Sequence, residues 1–326
     1  GGLNGIDNGR LSFDHIRSPR TNLLNKYGDV AADGTYSSAI DSPGRRFFTM
    51  LGTLVQGRVS LDGAASWASA LGLKIAITYA TQRRQFDGAD GQEVVLMDYG
   101  KHQRRLLPRL ATTYAQIFAH DEFLQKFDGV FSGRTDTPDD REDLETLAAA
   151  LKPLSTWHAL DTLQEAREAC GGAGFMFENR LVGLRADLDI YVTFEGDNNV
   201  LLQLVGKRLL TDYAKQFTGK DAAALAKFAV GMTAGKLFHG AGLRQFGQSV
   251  VDLGQVSRSV ENGLREEQQH MLLAERVQQM VADIAGRLRP AGKDKVLGAK
   301  LFNESQAELI EAARAHAELL QWEAFT

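Results

Sequence analysis

One cysteine, Cys170, is all the chain contains, so no disulfide can form within it, a usage that fits a reducing compartment. No run of about 18 apolar residues occurs, so no membrane span is expected. The first ten residues, GGLNGIDNGR, lack the basic and apolar layout of a signal peptide, and the closing WEAFT is not a targeting tripeptide of the Ser-Lys-Leu kind. The seven histidines show no metal-ligand spacing, His-Glu-x-x-His and Cys-x-x-Cys are both missing, and no metal is expected. Gly-x-Ser-x-Gly and phosphate-loop motifs are missing as well. Neither sign of charge dominates: 37 Lys and Arg against 41 Asp and Glu leave −4, which gives no footing for a nucleic-acid partner.

What remains is an ordinary soluble composition, 44% apolar and 24% charged over 326 residues, enough for two or three compact units. Residues 1–40 are rich in Gly, Asn, Asp and Ser. Their one alternating run, Leu11-Ser-Phe-Asp-His-Ile16, predicts a strand followed by loop around Pro19. From Phe47 to Tyr79 apolar residues recur every three or four positions among many alanines, which predicts a long helix. The pattern repeats from Val94 to Phe127 after a Gly-Asp-rich turn between Asp87 and Gly91. Phe127 to Asp140 carries loop signals. A third helix is expected from about Asp143 to Ala169, stopped by Gly171-Gly172, and a fourth from Val200 to Gln216.

Four amphipathic helices with short polar connections predict an all-α fold built on an antiparallel four-helix bundle. Gln216 to Asp221 breaks the pattern. Three further helices follow, Ala222 to Leu243, about Val256 to Leu288, and Lys300 to Phe325, with Arg289-Pro-Ala-Gly292 between the last two. The expected domains are therefore 1–40, 41–216 and 217–326. A lone strand at the front and an uncapped last helix lead us to expect a section of a longer protein, with the last domain incomplete.

Within this frame few residues invite chemistry. In Tyr191-Val-Thr-Phe-Glu-Gly-Asp-Asn-Asn199 a carboxylate, Glu195, stands between two apolar segments. It reads either as an exposed partner of the following helix dipole or as a general base held dry by Tyr191, Val192 and Phe194. Asp197, Asn198 or Asn199 can cap that helix, which leaves Glu195 free for the second role. In Glu168-Ala-Cys-Gly-Gly-Ala-Gly-Phe175, the glycines read as a helix stop or as a place for close backbone approach by a cofactor. Arg83 and Arg84 suit the negative end of a helix dipole, or forked recognition of a phosphate. Arg58, mid-helix, reads most simply as a snorkelling side chain, and Cys170 as a packed thiol.

Taken in order, four stretches resemble the acyl-CoA oxidase branch of the acyl-CoA dehydrogenase and oxidase superfamily. Asn8 to Leu24 is similar to the exit from that family's middle β-domain, so the front of the chain would be a β-domain remnant. Tyr79-Ala-Thr-Gln-Arg-Arg-Gln-Phe86 resembles its flavin-contacting Arg-x-x-Phe turn. Cys170-Gly-Gly-Ala-Gly-Phe175 resembles its Gly-Gly-x-Gly-aromatic loop, and Thr193-Phe-Glu-Gly-Asp-Asn198 its catalytic segment, in the Glu-Gly-Asp-Asn form of oxidases.

The resemblance implies FAD as cofactor and a fatty acyl-CoA as substrate. It makes Glu195 the base that takes the α-proton, and Arg83 and Phe86 the pair reaching the FAD of a neighbouring subunit in a homodimer. Gly171, Gly172, Asp197 and Asn198 would lie beside the flavin. Arg58, Phe194 and Gly196 would line the substrate or support the carboxylate. Phe194, Ala173 and Asn199 depart from the frequent Tyr, His and Thr. The implied reaction is α,β-dehydrogenation to a trans-2-enoyl-CoA in fatty acid β-oxidation, with O2 reoxidising the flavin to give H2O2. The implied location is cytoplasmic, or peroxisomal in a eukaryote. The family's N-terminal helical domain and most of its β-domain would precede residue 1, so this chain alone is expected to bind FAD poorly and not to turn over. Two rivals are a dehydrogenase serving an electron-transfer flavoprotein and a non-catalytic helical dimerisation module. The Glu-Gly-Asp-Asn form and the second helical domain favour the oxidase.

Overall fold

Apolar spacing of three and four becomes helix through most of the chain. The computed structural model describes residues 2–7, 9–43, 46, 49, 50, 52, 54–215 and 265–326. The expected helix at 222–243, the break before it, and residues 256–264 of the next lie outside these, as does part of the head of the first helix. The elements are β1 (Asp29–Val30), β2 (Tyr36–Ser37), α1 (Leu54–Gln82), β3 (Arg84–Asp87), β4 (Glu93–Val95), α2 (Gly100–Phe131), α3 (Pro138–Ala169), α4 (Gly171–Phe175), α5 (Leu181–Leu188), α6 (Asn198–Lys215), α7 (Glu266–Leu288), α8 (Lys295–Glu304) and α9 (Gln306–Phe325). Each sheet is a two-stranded antiparallel pair, β1 with β2 and β3 with β4, so the described residues are overwhelmingly helical, as an all-α fold requires. No described helix is long and apolar enough to cross a membrane.

Three local expectations need correction. Leu11 to Ile16 is not a strand: Leu11, Phe13 and Ile16 are 87%, 76% and 69% exposed, and an alternating run with no strand beside it has nothing to pair with. Val94 belongs to β4 rather than to a helix, because the Gly88–Gly91 turn folds it back on Arg84–Asp87. The loop after Phe127 is shorter than expected, since α2 runs to Phe131 and α3 starts at Pro138. There Thr137 caps Asp140 N–H, and the Asp140 carboxylate accepts from Thr137 N–H, a reciprocal box that fixes the helix start.

Contacts divide the chain into two units, one of Gly1–Thr113, Phe123–Ala148 and Ser155–Glu195, the other of Tyr114–Glu122, Ala149–Leu154 and Gly196–Thr326. The first has a core of small residues: Ala65, Ala68, Leu73, Ala76 and Ala80 of α1 meet Leu106 of α2, Ala159, Leu163 and Ala166 of α3, and Leu181 and Leu188 of α5. Small side chains let these helices approach closely. At Gly72 a Cβ would lie 2.7 Å from Leu163 Cδ2. In the second unit Val277, Val281 and Ile284 of α7 pack on Leu309, Ala312, Ala315 and Leu319 of α9, with Leu209, Leu210 and Tyr213 of α6 against them. Each fully buried Leu in such a core stabilises by about 1.5–3 kcal/mol relative to leaving it in water.

Candidate active site around Glu195 and the glycine loop

The segment before Glu195 is a 3-10 turn, Asp189–Val192, and Phe194 N–H donates to Ile190 O at 3.1 Å. The rings of Tyr191 and Phe194 lie 5.3 Å apart, tilted by 36°. The chain then passes through two successive positive φ angles, +55° at Glu195 and +102° at Gly196. Gly196 takes this without penalty, and a Cβ there would also lie 2.8 Å from Leu201 Cδ2. Glu195 has no such freedom; a left-handed conformation costs a side-chain-bearing residue roughly 1–2 kcal/mol. Among the described residues only five non-glycines carry positive φ, and two of them are Phe86 and Glu195. Such strain persists where the surroundings over-determine it, and it clusters at working sites.

What holds Glu195 comes from α1. Arg58 Nε donates to the Glu195 backbone carbonyl at 3.1 Å. Burial pushes the Arg58 guanidinium below its ordinary value, while the carboxylates of Glu145 and Glu195 favour its charge. One residue earlier, Gly57 leaves the helix surface bare. A Cβ there would lie 2.8 Å from Glu195 Cδ and 2.9 Å from each carboxylate oxygen, so the carboxylate rests where a side chain would have been. Its Oε2 is buried and has no hydrogen-bond partner among the described residues. A buried acceptor without a donor is rare and calls for an explanation.

Beyond the Glu195–Gly196 peptide bond, Asp197 Oδ1 accepts from Asn199 N–H at 2.9 Å and so caps α6, the role foreseen for one of these three residues. Asn198 is 1% exposed. Its Oδ1 accepts from Lys152 Nζ at 2.9 Å, and the same amine donates to Gly196 O at 2.8 Å.

Arg83 and Phe86 fall on the β3–β4 hairpin that follows α1, and both are exposed. Arg84 pairs with Val95 and Asp87 with Glu93, so three steps on one strand oppose two on the other. The extra residue is a bulge, and Phe86, at φ +63°, is turned out of it with 70% of its surface exposed. The glycine loop folds as the short helix α4. Gly171 has φ +57°, and a Cβ on Gly171 or Gly172 would meet open space; at Gly174 it would overlap the Arg167 carbonyl oxygen. The first two glycines therefore leave backbone accessible, while the third is a packing glycine. Asn179 Nδ2 donates to Ala173 O at 2.8 Å and ties the loop down.

A cleft of about 430 Å³ is lined by Leu71, Lys74, Ile75, Thr78, Tyr79 and Gln82 of α1 and by Cys170, Ala173 and Asn179. Its lining stops at Gln82, the residue before Arg83, and includes Cys170 and Ala173 on either side of Gly171 and Gly172. Burial raises the Cys170 thiol above its ordinary value, which suits a packed thiol. The structure thus brings Arg58 to Glu195, and it places Arg83 and Phe86 exposed after α1. Gly57, Lys152 and Asn179 were not singled out from sequence. Gly57 carries a signal, a glycine inside a helical pattern, and so does Lys152, a lone cation at the end of the apolar run Leu147–Leu151.

Residues 51–210 match the acyl-CoA oxidase C-alpha1 domain. A putative peroxisomal acyl-coenzyme A oxidase 3.2 of Arabidopsis thaliana is 47% identical over 213 residues, which are 65% of this chain and 31% of that protein. The solved structure of Arabidopsis thaliana acyl-CoA oxidase 1 is 27% identical and superposes with a TM-score of 0.74 over 96% of this chain and 44% of its own. Acyl-CoA oxidase-1 of Caenorhabditis elegans, solved in complex with FAD and ATP, shares the fold at 24% identity, with a TM-score of 0.70 over 96% of this chain and 43% of its own. The chain spans about a third of the length of the curated relative and under half that of the solved enzymes. In sequence and in fold the chain belongs to the acyl-CoA oxidases and corresponds to their C-terminal helical portion.

Proposed function

We propose that this chain supplies the proton-abstracting base and part of the flavin site of a fatty acyl-CoA oxidase. The observation that carries the reading is Glu195: a carboxylate with one oxygen buried and unpartnered, kept at a strained backbone position against the bare surface of Gly57. An acceptor in that state is not committed to any described protein donor. The α-hydrogen of an acyl thioester is weakly acidic, so its removal needs an oriented base in a site from which water is kept out. In this reading Glu195 takes that proton: the α-carbon–hydrogen bond breaks, an O–H bond forms on the carboxyl group, and the electron pair left on the α-carbon becomes the double bond of a trans-2-enoyl-CoA as the β-hydrogen leaves as hydride. Phe194 and Tyr191 exclude water from one side of the turn. Arg58 anchors the Glu195 carbonyl, so the carboxyl group can change charge without the backbone following.

The residues present fit FAD. Gly171 and Gly172 offer accessible backbone, Arg83 an exposed guanidinium for a phosphate, and Phe86 an exposed ring. Asp197, exposed at the start of α6, could reach the flavin, whereas Asn198, 1% exposed and bonded to Lys152, would act only by holding that turn. When bound, FAD supplies the acceptor for the β-hydrogen as hydride and passes the electrons to O2, giving H2O2. A homodimer would bring Arg83 and Phe86 to the partner's cofactor, and in a eukaryote the peroxisomal name of the relative points to that organelle.

The test is Glu195→Gln in the full-length natural chain, with enoyl-CoA and H2O2 measured together. Turnover should fall by about 10²–10⁴-fold, the usual contribution of a positioned base, with FAD content unchanged. Unimpaired turnover would remove Glu195 from the reaction. Peroxide equal to enoyl-CoA marks the oxidase, whereas enoyl-CoA formed only with an added electron acceptor marks a dehydrogenase.

A further inference from the structure

We propose that Lys152 is a positioning residue for the Glu195 carboxylate, acting through the turn that follows it; the proposal rests on reading Glu195 as the base. Lys152 lies in α3 directly after Ala148, Ala149, Ala150 and Leu151, all buried, and is itself 0% exposed. An amine in such surroundings is held at a desolvation penalty and is kept where its hydrogen bonds define something. Two of those bonds reach residues 196–198: Nζ donates to the Gly196 carbonyl at 2.8 Å and to Asn198 Oδ1 at 2.9 Å.

The acceptors are informative. Gly196, at φ +102°, is the point where this turn has most conformational freedom, and it is covalently joined to Glu195, whose own φ of +55° is unfavourable. Left alone, a glycine next to a strained residue is where the strain would relax. Lys152 holds the Gly196 carbonyl and, through Asn198, the first residue of α6, so both ends of the short connector are fixed to one amine. With no exposed surface, Lys152 cannot touch substrate. Its effect on the reaction would pass entirely through the direction in which Glu195 leaves the turn.

Lys152→Met in the full-length natural chain tests this, since it keeps the length and apolar stem and removes the donors. Misplacing a catalytic group by about 1 Å costs about 100-fold, so kcat should fall by about that factor while KM stays within about threefold. Amide hydrogen exchange at residues 196–199 should quicken by about tenfold or more, with 266–325 unchanged, because loosening is local. Equal quickening throughout the chain, unchanged exchange at 196–199, or a kcat within threefold of the parent would each overturn the positioning role. If Lys152→Met does not fold, Lys152→Gln, which keeps a terminal donor at shorter reach, is judged by the same readouts. Full activity in Glu195→Gln would instead overturn the underlying reading of Glu195. Inactive Glu195→Gln beside normal Lys152→Met would overturn only the role of Lys152.

Discussion

At Gly57 the working feature is a side chain that is not there. A helix interior disfavours glycine relative to alanine by about 1 kcal/mol, so Gly57→Ala should raise the intrinsic stability of α1. The same methyl would stand 2.8–2.9 Å from the carboxyl atoms of Glu195, a separation that non-bonded carbon does not tolerate. The carboxylate must then turn away. We expect the melting temperature of Gly57→Ala to be unchanged or slightly higher while kcat falls by about 100-fold, the usual penalty for a misplaced catalytic group. Thermal unfolding and steady-state kinetics on one preparation check both halves, and a loss of stability equal to the loss of activity would contradict the argument. Phe86 shows the converse: there a bulge displaces a side chain outward, so what matters is a ring the fold declines to bury.

Among the helices, the sequence was most legible where periodicity ran long and least legible where two signals competed. The cores of α1, α2, α3, α6 and α9 follow from apolar spacing because nothing else explains alanine and leucine every three or four residues. Val94 was misread because a β-branched pair next to a helical pattern belongs equally to either; hairpin pairing across Gly88–Gly91 decided it. The run Leu11–Ile16 failed for the opposite reason, an alternating pattern without a partner strand. Glu195, Arg58 and the glycine loop were visible as motifs, but Gly57 and Lys152 gain meaning only when α1 and α3 bring them to residues far along the chain. The same dependence on neighbours separates two helical glycines. Gly286 of α7 faces open space, so Gly286→Ala should stabilise by about 0.5–1 kcal/mol from helix propensity alone. Gly206 of α6 would place its new methyl 2.5 Å from Leu309 Cγ and 3.1 Å from Leu309 O, so Gly206→Ala should destabilise by about 1–2 kcal/mol as overpacking outweighs propensity. Urea unfolding of the two variants should show shifts of opposite sign.

For the molecule as a whole, acid is the condition to which the described residues are most exposed. Burial lowers the titration of His102, His158 and His316, so each is neutral when folded and gains a proton more readily when unfolded. For His158, set between the hydroxyls of Thr113 and Thr162, the folded value is pushed down to about 4. A depressed folded value means that the unfolded chain binds more protons between about 4 and 6.5. His158 therefore opposes unfolding fully above about pH 6.5 and progressively less as pH falls through that window, a loss of about 3 kcal/mol by pH 4. His158→Gln, which removes the titration, should lose about that much less between pH 7 and pH 4 when unfolding free energies are compared, and parallel pH curves for the two proteins would refute the assignment. The interleaved units carry a different consequence, one of heredity. Because Tyr114–Glu122 and Ala149–Leu154 belong to one unit while the flanking turns of the same helices belong to the other, no single crossover or splice junction can pass on one unit without the other.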